Sequence, residues 1–341
     1  MNKRLKQGCW AAVVCLLLLT GGAALTGYLC LFRPIGETES GRIYIDRDDD
    51  ADSVRIKLQR LSPTAARGYR WLSLRHTKQP VHTGCYLLSS TDRPWDIARR
   101  LERGIQSPVR LVFHNLRTHR QLAERLAEQL MLEADEIEAC MADTAYCRQW
   151  GFEPSTVACL FLPDTYEVYW DITPDKLFRR MKQEYDRFWT PERLERAAGL
   201  GLSPTEVATL ASIVEEETNS RQEQPIVAGL YLNRLRKGML LQACPTVKFA
   251  LQDFSLRRIL TVHLSVDSPY NTYLHTGLPP GPIRFPSKAG LESVLHATRH
   301  SYLYMCAKED FSGRHNFATT LAEHQANARR YQQALNNRKI Y

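Results

Sequence analysis

A long stretch without a single charged residue lies near the N-terminus, from Gly8 to Phe32. At about 1.5 Å of helical rise per residue it reaches about 37 Å, more than the roughly 30 Å of a membrane's hydrocarbon core. Gly21 and Gly22 resemble part of a signal-peptide cleavage site, but apolar residues continue to Phe32. This length favours an uncleaved transmembrane helix over a secretory signal peptide.

The charges that flank this stretch predict its orientation. Lys3, Arg4 and Lys6 precede it, and acidic residues dominate the segment from Glu37 to Asp52. Because basic residues collect on the cytoplasmic side of a membrane, residues 1–7 are predicted to be a cytoplasmic tail and residues 8–32 the span. The remaining residues contain no second apolar run of spanning length, so we expect a single-pass protein with an exported body.

The exported body begins with three repeats of a short alternating segment followed by a helical pattern. Each repeat predicts a strand and then a helix, and such modules name no function by themselves. The predicted strands contain Ile43 and Ile45, Gly84 to Leu88, and Val109 to Phe113, and the helices follow the possible cap Asp52, Pro94 and Thr118.

From about residue 133 the pattern is mostly helical. A segment at about 240–290, rich in proline, glycine and aromatic residues, predicts a long ordered loop with a binding surface. The predicted helices are Glu133 to Cys147, Thr173 to Phe188, Pro191 to Leu200, Pro204 to Thr218, Pro225 to Lys237, Leu291 to Thr298 and Leu321 to Asn336.

Composition narrows the possible functions. The chain has 341 residues, 44% of them hydrophobic, and a formal net charge of +8, which excludes a disordered or collagen-like protein. Its positive charge suits an anionic polymer, and export removes nucleic acid as a partner. Nine cysteines match no metal or disulfide framework, so buried free thiols are the simpler interpretation. His296 and His300 have the spacing of a metal pair, but surface histidines are favoured, and we predict no metal or cofactor.

One acidic residue falls on the apolar face of the helix predicted from Pro204. At 100° per residue, Glu217 lies about 20° from Leu210, whereas Glu215 and Glu216 lie about 140° and 120° away. An apolar environment raises a carboxyl's pKa, which a general acid for glycoside cleavage requires. The alternatives are that the helix ends before Glu217, or that a lysine or arginine pairs with it in a structural salt bridge.

Several ordered motifs together resemble the endolytic murein transglycosylase family, also called YceG-like. The similarity runs from the apolar segment to near the C-terminus. The motifs are Leu160-Phe-Leu-Pro-Asp-Thr-Tyr166, Ala211-Ser-Ile-Val-Glu-Glu-Glu-Thr218, Val227-Ala-Gly-Leu-Tyr-Leu-Asn-Arg-Leu-Arg-Lys-Gly-Met239, Leu241-Gln-Ala-Cys-Pro-Thr-Val247, Tyr270-Asn-Thr-Tyr273, Gly277-Leu-Pro-Pro-Gly-Pro-Ile283, and His315-Asn-Phe317 with His324.

This resemblance implies an α+β protein of the bacterial inner membrane, with a periplasmic body. Residues 40–112 would form a LysM-like subdomain, and residues 113–341 a mostly helical, lysozyme-like catalytic domain. The implied activity is that of a lyase that cuts nascent peptidoglycan strands internally between MurNAc and GlcNAc and ends strand elongation. The muramyl 6-hydroxyl attacks C1, which leaves a 1,6-anhydroMurNAc end without using water.

Glu217 matches the catalytic acid of the family's Glu-x-Glu-Thr motif, and one carboxyl can serve as acid and then as base. Glu215 matches the motif's first acid and is interpreted as structural or supporting. The partners implied are glycan strands, the membrane and, as a possibility, peptidoglycan synthases.

Six residues are candidates for glycan binding, three of them weaker than the others. Tyr270, Asn271 and Tyr273 offer aromatic faces and an amide to sugar rings and N-acetyl groups, although a turn stabilised by asparagine and proline is an equal alternative. Gln242 and Asn233 are weaker candidates, as is Arg234, because an arginine on a helix is usually solvated or paired.

The sequence departs from the family pattern in three places. Cys244 stands where the family usually has Asp, Ala158-Cys159 replaces Glu-Gly before the Asp164 motif, and His114-Asn115 replaces another Glu-Gly. The first two motivate the alternative of a non-catalytic, membrane-anchored scaffold that binds peptidoglycan.

Overall fold

The computed structural model describes residues 3–73, 81–256 and 258–338, and it divides into two compact units. The first unit contains the described residues up to Leu111 together with the segment Glu167–Ile172. The second contains Val112–Tyr166 and the described residues from Thr173 onward. The sequence pattern did not predict that the six residues Glu167–Ile172 belong to the first unit. The last three residues of the predicted catalytic domain, 339–341, lie outside the described part.

The N-terminal apolar segment is a single helix, α1 (Lys3–Phe32). Its stretch Ala12–Phe32 has a mean hydropathy of 2.0 and is long enough to cross a membrane. Most of its described apolar side chains are exposed, with Leu18 at 70%, and those of Leu31 and Phe32 at its end are partly buried. The predicted apolar helix is therefore confirmed, and it begins five residues before Gly8, within the predicted tail.

The rest of the first unit packs two antiparallel strands against helices. Gly41 lies opposite Leu88 in this pair, and Ile45 lies opposite Gly84. Its core joins alternating strand residues such as Ile43 to helical residues such as Leu58. The elements are β1 (Gly41–Ile45), α2 (Ala51–Leu61), α3 (Pro63–Ser73), β2 (Gly84–Leu88) and α4 (Pro94–Glu102).

Two features of this unit differ from the sequence predictions. Asp50, not Asp52, caps α2, because its side chain accepts a hydrogen bond of 2.8 Å from the Ser53 backbone N–H. The helix α3 was not predicted at all.

The remaining elements follow most of the predicted helices. They are β3 (Val109–Phe113), α5 (His119–Ala127), α6 (Ala134–Ala142), α7 (Thr144–Gln149), β4 (Asp164–Val168), α8 (Pro174–Phe188), α9 (Pro191–Leu200), α10 (Pro204–Glu217), α11 (Gln224–Arg236), α12 (Cys244–Leu251), α13 (Lys288–Leu295), β5 (Tyr304–Ala307), β6 (His315–Ala318) and α14 (Leu321–Asn337). They include a helix, Cys244–Leu251, inside the segment predicted to be a long loop, and three strands that were not predicted, Asp164–Val168, Tyr304–Ala307 and His315–Ala318. The single helix predicted from Glu133 is wrong, since Asp143 ends α6 and caps α7 through the Tyr146 backbone N–H.

The helix α10 lies at the centre of the second unit. Ser203 and Glu206 form a capping box at its N-terminus, and Pro204 occupies the first turn. All residues from Val207 to Val214 are buried. The apolar stripe inferred from the sequence is therefore only one part of a helix that is enclosed on all sides.

The C-terminal elements form one wall of the second unit. The strands β5 and β6 pair in antiparallel fashion, with Ala307 opposite His315, and α14 packs against both strands. The helix α13 ends at Leu295, three residues before its predicted end. His296 is its C-cap, so His296 and His300 do not share a helix.

Candidate active site

An open cavity of about 350 Å³ lies in the second unit, at the C-terminal end of α10. The helices α11 and α14, the segment before α12, and the β5–β6 hairpin supply the other walls. The lining residues are Glu217, Leu230, Tyr231, Arg234, Leu241, Gln242, Cys244, Tyr273, Met305, Cys306, Ala307, His315 and His324. Acidic, basic, amide and aromatic side chains thus meet around one space large enough for part of a ligand.

Glu217 is the last residue of α10, and its carboxyl lies on the cavity wall. The surrounding protein desolvates it and raises its pKa to about 7, and the nearby charge of Glu216 acts in the same direction. The hydrogen bond of 3.1 Å from the Tyr231 hydroxyl opposes the rise, as do the charges of Lys248 and Arg234. Near neutral pH this carboxyl therefore exchanges a proton readily, which suits a general acid.

The two preceding acids have different partners. Glu216 accepts hydrogen bonds of 2.9 and 3.0 Å from Arg117 and one of 3.1 Å from Arg284. Glu215 accepts hydrogen bonds from the backbone N–H and the hydroxyl of Ser287, the residue that caps α13. Both carboxylates connect elements of the fold and lie off the cavity wall, so the three consecutive acids differ in their surroundings.

Arg234 organises the loop that forms the floor of the cavity. It is buried, and its guanidinium donates to the carbonyls of Leu303, Leu240 and Leu241 at 2.6 to 3.0 Å. It also donates to Gln242 Oε1 at 3.3 Å. Gln242 adopts φ 50°, a left-handed conformation that is uncommon for residues other than glycine and is found at functional sites.

Tyr273 and Cys244 meet on another part of the wall. Cys244 Sγ lies 3.2 Å from the Tyr273 hydroxyl, and desolvation by the surrounding cavity wall raises the pKa of both groups, although Cys244 is open to solvent. The nearby Glu217 charge raises the Cys244 pKa as well, whereas the Tyr273 hydrogen bond lowers it. Among the six described cysteines outside α1, Cys85, Cys147 and Cys159 are buried, and Cys244 is exposed.

Three of the predicted glycan-binding residues lie away from this cavity. The Asn271 amide donates to the carbonyls of Leu264 and Val266, both at 2.9 Å, and is fully buried. The Asn233 amide donates to the carbonyls of His300 and Tyr302.

Tyr270 belongs to different surroundings. It packs on Phe249 and lines a separate cavity of about 330 Å³. The structure thus brings Gln242 and Tyr273 to Glu217, and it places Asn233, Asn271 and Tyr270 elsewhere.

The sequence reasoning assigned no role to Tyr231, His315 or His324, although all three line the cavity. Tyr231 lies one helical turn before Arg234 on α11, a spacing that places both side chains on one face. His315 and His324 come from β6 and α14, and only tertiary packing brings them to α10.

Comparison with known proteins agrees with these motifs. A family model described as the YceG-like family matches residues 43–330. An endolytic murein transglycosylase of Bacillus subtilis (strain 168) is 38% identical over 137 residues, which cover 40% of this chain and 37% of that protein. One from Streptococcus pneumoniae serotype 2 (strain D39) is 30% identical over 169 residues, 48% of this chain and 30% of that protein.

The similarity to these curated relatives is partial, since the chain spans only about a third of their length. The crystal structure of a yceG-like protein from Listeria monocytogenes shows the same fold, with a TM-score of 0.58 at 24% identity. The structural match covers 85% of this chain and 99% of the Listeria chain. The family match extends over most of the residues, including the whole cavity wall, and the chain therefore belongs to the YceG-like family.

Proposed function

We propose that this protein is a membrane-anchored peptidoglycan lytic transglycosylase, a lyase with Glu217 as its acid. It cuts nascent glycan strands internally between MurNAc and GlcNAc, which leaves 1,6-anhydroMurNAc ends and ends strand elongation. The observation that carries the proposal is the Glu217 carboxyl, placed on the wall of an open cavity with a pKa of about 7. The name of the two partial relatives, endolytic murein transglycosylase, supports the same reaction.

The first step uses the proton of Glu217. This proton passes to the oxygen that links MurNAc to the next sugar, and the bond from C1 to that oxygen breaks. The positive charge that develops on the sugar is stabilised by the carboxylate left behind. Ordinary glycosidases place a second carboxylate opposite the first to activate water or attack C1. Here the muramyl 6-hydroxyl attacks C1, so the reaction needs an acid and a base but no water.

We assign two side chains to glycan binding. Tyr273 offers an aromatic face to a sugar ring, and Gln242 offers an amide for a hydroxyl or N-acetyl group. Both line the cavity with Glu217. We assign Asn233 and Asn271 to shaping the surrounding loops, because their amides already bind backbone carbonyls. Tyr270 would contact a more distant part of the strand.

The location follows from α1. We assign residues 8–32 to a span of the inner membrane, residues 1–7 to the cytoplasm and the body to the periplasm, in agreement with the apolar stretch Ala12–Phe32. Such an anchor would hold the cavity close to the site of glycan synthesis, where synthases are natural partners.

The body itself divides by role in this proposal. We assign residues 40–112, with their strand–helix–helix–strand core, to a LysM-like glycan-binding subdomain. Residues 113–341 form the mostly helical, lysozyme-like catalytic domain.

The proposal is tested by incubating the full chain, purified in detergent, with long peptidoglycan strands. Mass spectrometry of the products should show new 1,6-anhydroMurNAc ends from cuts inside the strands. Reducing muramyl ends would identify a hydrolase instead. Strand binding without any cut would favour the scaffold that Cys244 and Ala158-Cys159 motivate.

A further inference from the structure

Glu223 and His315 form a closely held pair at the edge of the cavity. The His315 backbone N–H donates to Glu223 Oε1 at 3.0 Å, and His315 Nδ1 lies 3.1 Å from Oε2. The Thr218 hydroxyl donates to the same Oε2 at 3.3 Å. The side chains of His315 and Glu223 are only 15% and 9% exposed. The carboxylate is thus satisfied by three donors and fixes the imidazole in one orientation.

These contacts determine which ring nitrogen of His315 carries the proton. A carboxylate only accepts hydrogen bonds, so His315 Nδ1 carries the proton. The lone pair of the neutral ring then lies on Nε2, and His315 is part of the cavity wall. A carboxylate behind one imidazole nitrogen stabilises the positive charge that forms when the other nitrogen takes a proton.

The pair is connected to Glu217 through a short turn. Thr218 follows Glu217 directly, and Glu223 is the N-cap residue of α11. The Ser220 backbone N–H donates to the Thr218 hydroxyl at 3.1 Å, and Gln224 Nε2 donates to the Thr218 carbonyl at 3.3 Å. Glu217 and Glu223, the partner of His315, are therefore held by one hydrogen-bonded segment between α10 and α11.

We propose that His315 is the general base of the ring-closing step, an inference that rests on the lytic reaction proposed above. The O6–H bond of MurNAc breaks, the proton goes to His315 Nε2, and the oxygen electron pair forms the bond to C1. Glu217 has already given its proton to the leaving oxygen, whose bond to C1 has broken. The Glu223 carboxylate balances the imidazolium charge, and after product release His315 loses a proton to water and Glu217 gains one.

The acid and base roles require opposite protonation states of two groups on one wall. Activity should fall at high pH as Glu217 loses its proton, and at low pH as His315 gains one. The other titratable groups on this wall are Arg234 and His324, the phenols of Tyr231 and Tyr273, and the thiols of Cys244 and Cys306. Burial and the charge of Arg234 lower the pKa of His324.

The test compares variants of the full chain on peptidoglycan strands across pH. His315→Gln should lower kcat by about 100-fold or more, with little change in KM, and abolish the fall of activity at low pH. Glu223→Gln should lower kcat less than His315→Gln does, and it should shift the pH at which activity falls on the acidic side. His296→Gln, an exposed histidine at the end of α13, is the matched control and should behave as the wild type. A His315→Gln kcat within threefold of wild type, or an unchanged low-pH limb, would overturn the proposal.

A second measurement is independent of catalysis. Nitrogen-15 NMR of the His315 ring should show the proton on Nδ1 in the wild type, and a proton on Nε2 would refute the inference even in an active enzyme. The proposed function fails separately. If wild type makes no 1,6-anhydro ends, both the reaction and the base role fall. If Glu217→Gln retains full activity whereas His315→Gln does not, the assignment of Glu217 as the acid fails and the role of His315 as the base stands.

Discussion

The hydroxyl of Tyr231 donates a hydrogen bond to Glu217 Oε1 across 3.1 Å, from the helix that follows the acid. This contact stabilises the ionised carboxylate and partly offsets the effect of desolvation on its pKa. Glu217 is therefore poised between the two protonation states that the proposed reaction needs.

Tyr231→Phe should raise the Glu217 pKa further, because it removes the hydrogen bond that favours the charged form. The fall of activity at high pH should then move to higher pH, and the fold should lose about 1 kcal/mol of stability. A kcat profile against pH measures the shift. Tyr146→Phe, whose hydroxyl binds Asp175 outside the cavity, is the control and should leave the profile unchanged. If the fall of activity moves to lower pH in Tyr231→Phe, the hydrogen bond between Tyr231 and Glu217 has another role.

Glu217→Gln should change how stability depends on pH. The folded-state pKa of about 7 lies above the ordinary 4.5, so the folded protein binds this proton more tightly than the unfolded chain. The resulting stabilisation is fully present below pH 4.5 and disappears as the pH rises through 7, up to about 3 kcal/mol. Wild type should therefore weaken relative to Glu217→Gln between pH 5 and pH 9. Urea unfolding of both proteins measures the difference, and parallel pH curves would contradict the perturbed carboxyl.

Glu216→Gln should affect stability more than chemistry. It breaks charge-assisted hydrogen bonds to Arg117 and Arg284, at a cost of about 2–3 kcal/mol. Because the Glu216 charge raises the Glu217 pKa, its removal should also move the high-pH limb to lower pH. Thermal unfolding and a pH profile measure the two effects. Complete loss of product at a temperature where the variant is folded would mean that Glu216 takes part in the reaction.

Asn271→Ala should loosen the loop that carries Tyr273. The Asn271 amide binds two backbone carbonyls, and its Oδ1 accepts from the Tyr273 backbone N–H at 3.0 Å. We expect a loss of about 2–3 kcal/mol and a higher KM with a smaller change in kcat. Asn336→Ala, on the exposed face of α14, is the control. A normal unfolding curve together with lost glycan binding would instead indicate direct contact between Asn271 and the strand.

Local signals made the helices and the position of Glu217 predictable. Ser203 and Pro204 mark the start of α10, and a helical repeat then places Glu217 by simple geometry. The same signals predicted α9 with its observed bounds. One failed prediction also has a local cause. Asp143 ends α6 and caps α7, and the apolar spacing around it does not reveal this break.

The cavity wall was less predictable because it depends on contacts between distant segments. Arg234 reads as a solvated helix residue, yet the carbonyls of Leu240, Leu241 and Leu303 bind its guanidinium and bury it. The sequence left Asn271 equally open as a sugar ligand or as a residue that stabilises a turn, and its amide binds two loop carbonyls. His315 reaches the cavity only because β6 pairs with β5 beside α14. A single sequence carries no periodic signal for such contacts.

The role of Glu217 in strand cleavage is tested most directly by comparing the glycan products of wild type and Glu217→Gln, with Glu216→Gln as the matched control. Strands from each digestion are separated and their ends identified by mass spectrometry. We expect 1,6-anhydroMurNAc ends from wild type and from Glu216→Gln, and none from folded Glu217→Gln. Equal amounts of these ends from wild type and Glu217→Gln would contradict this role.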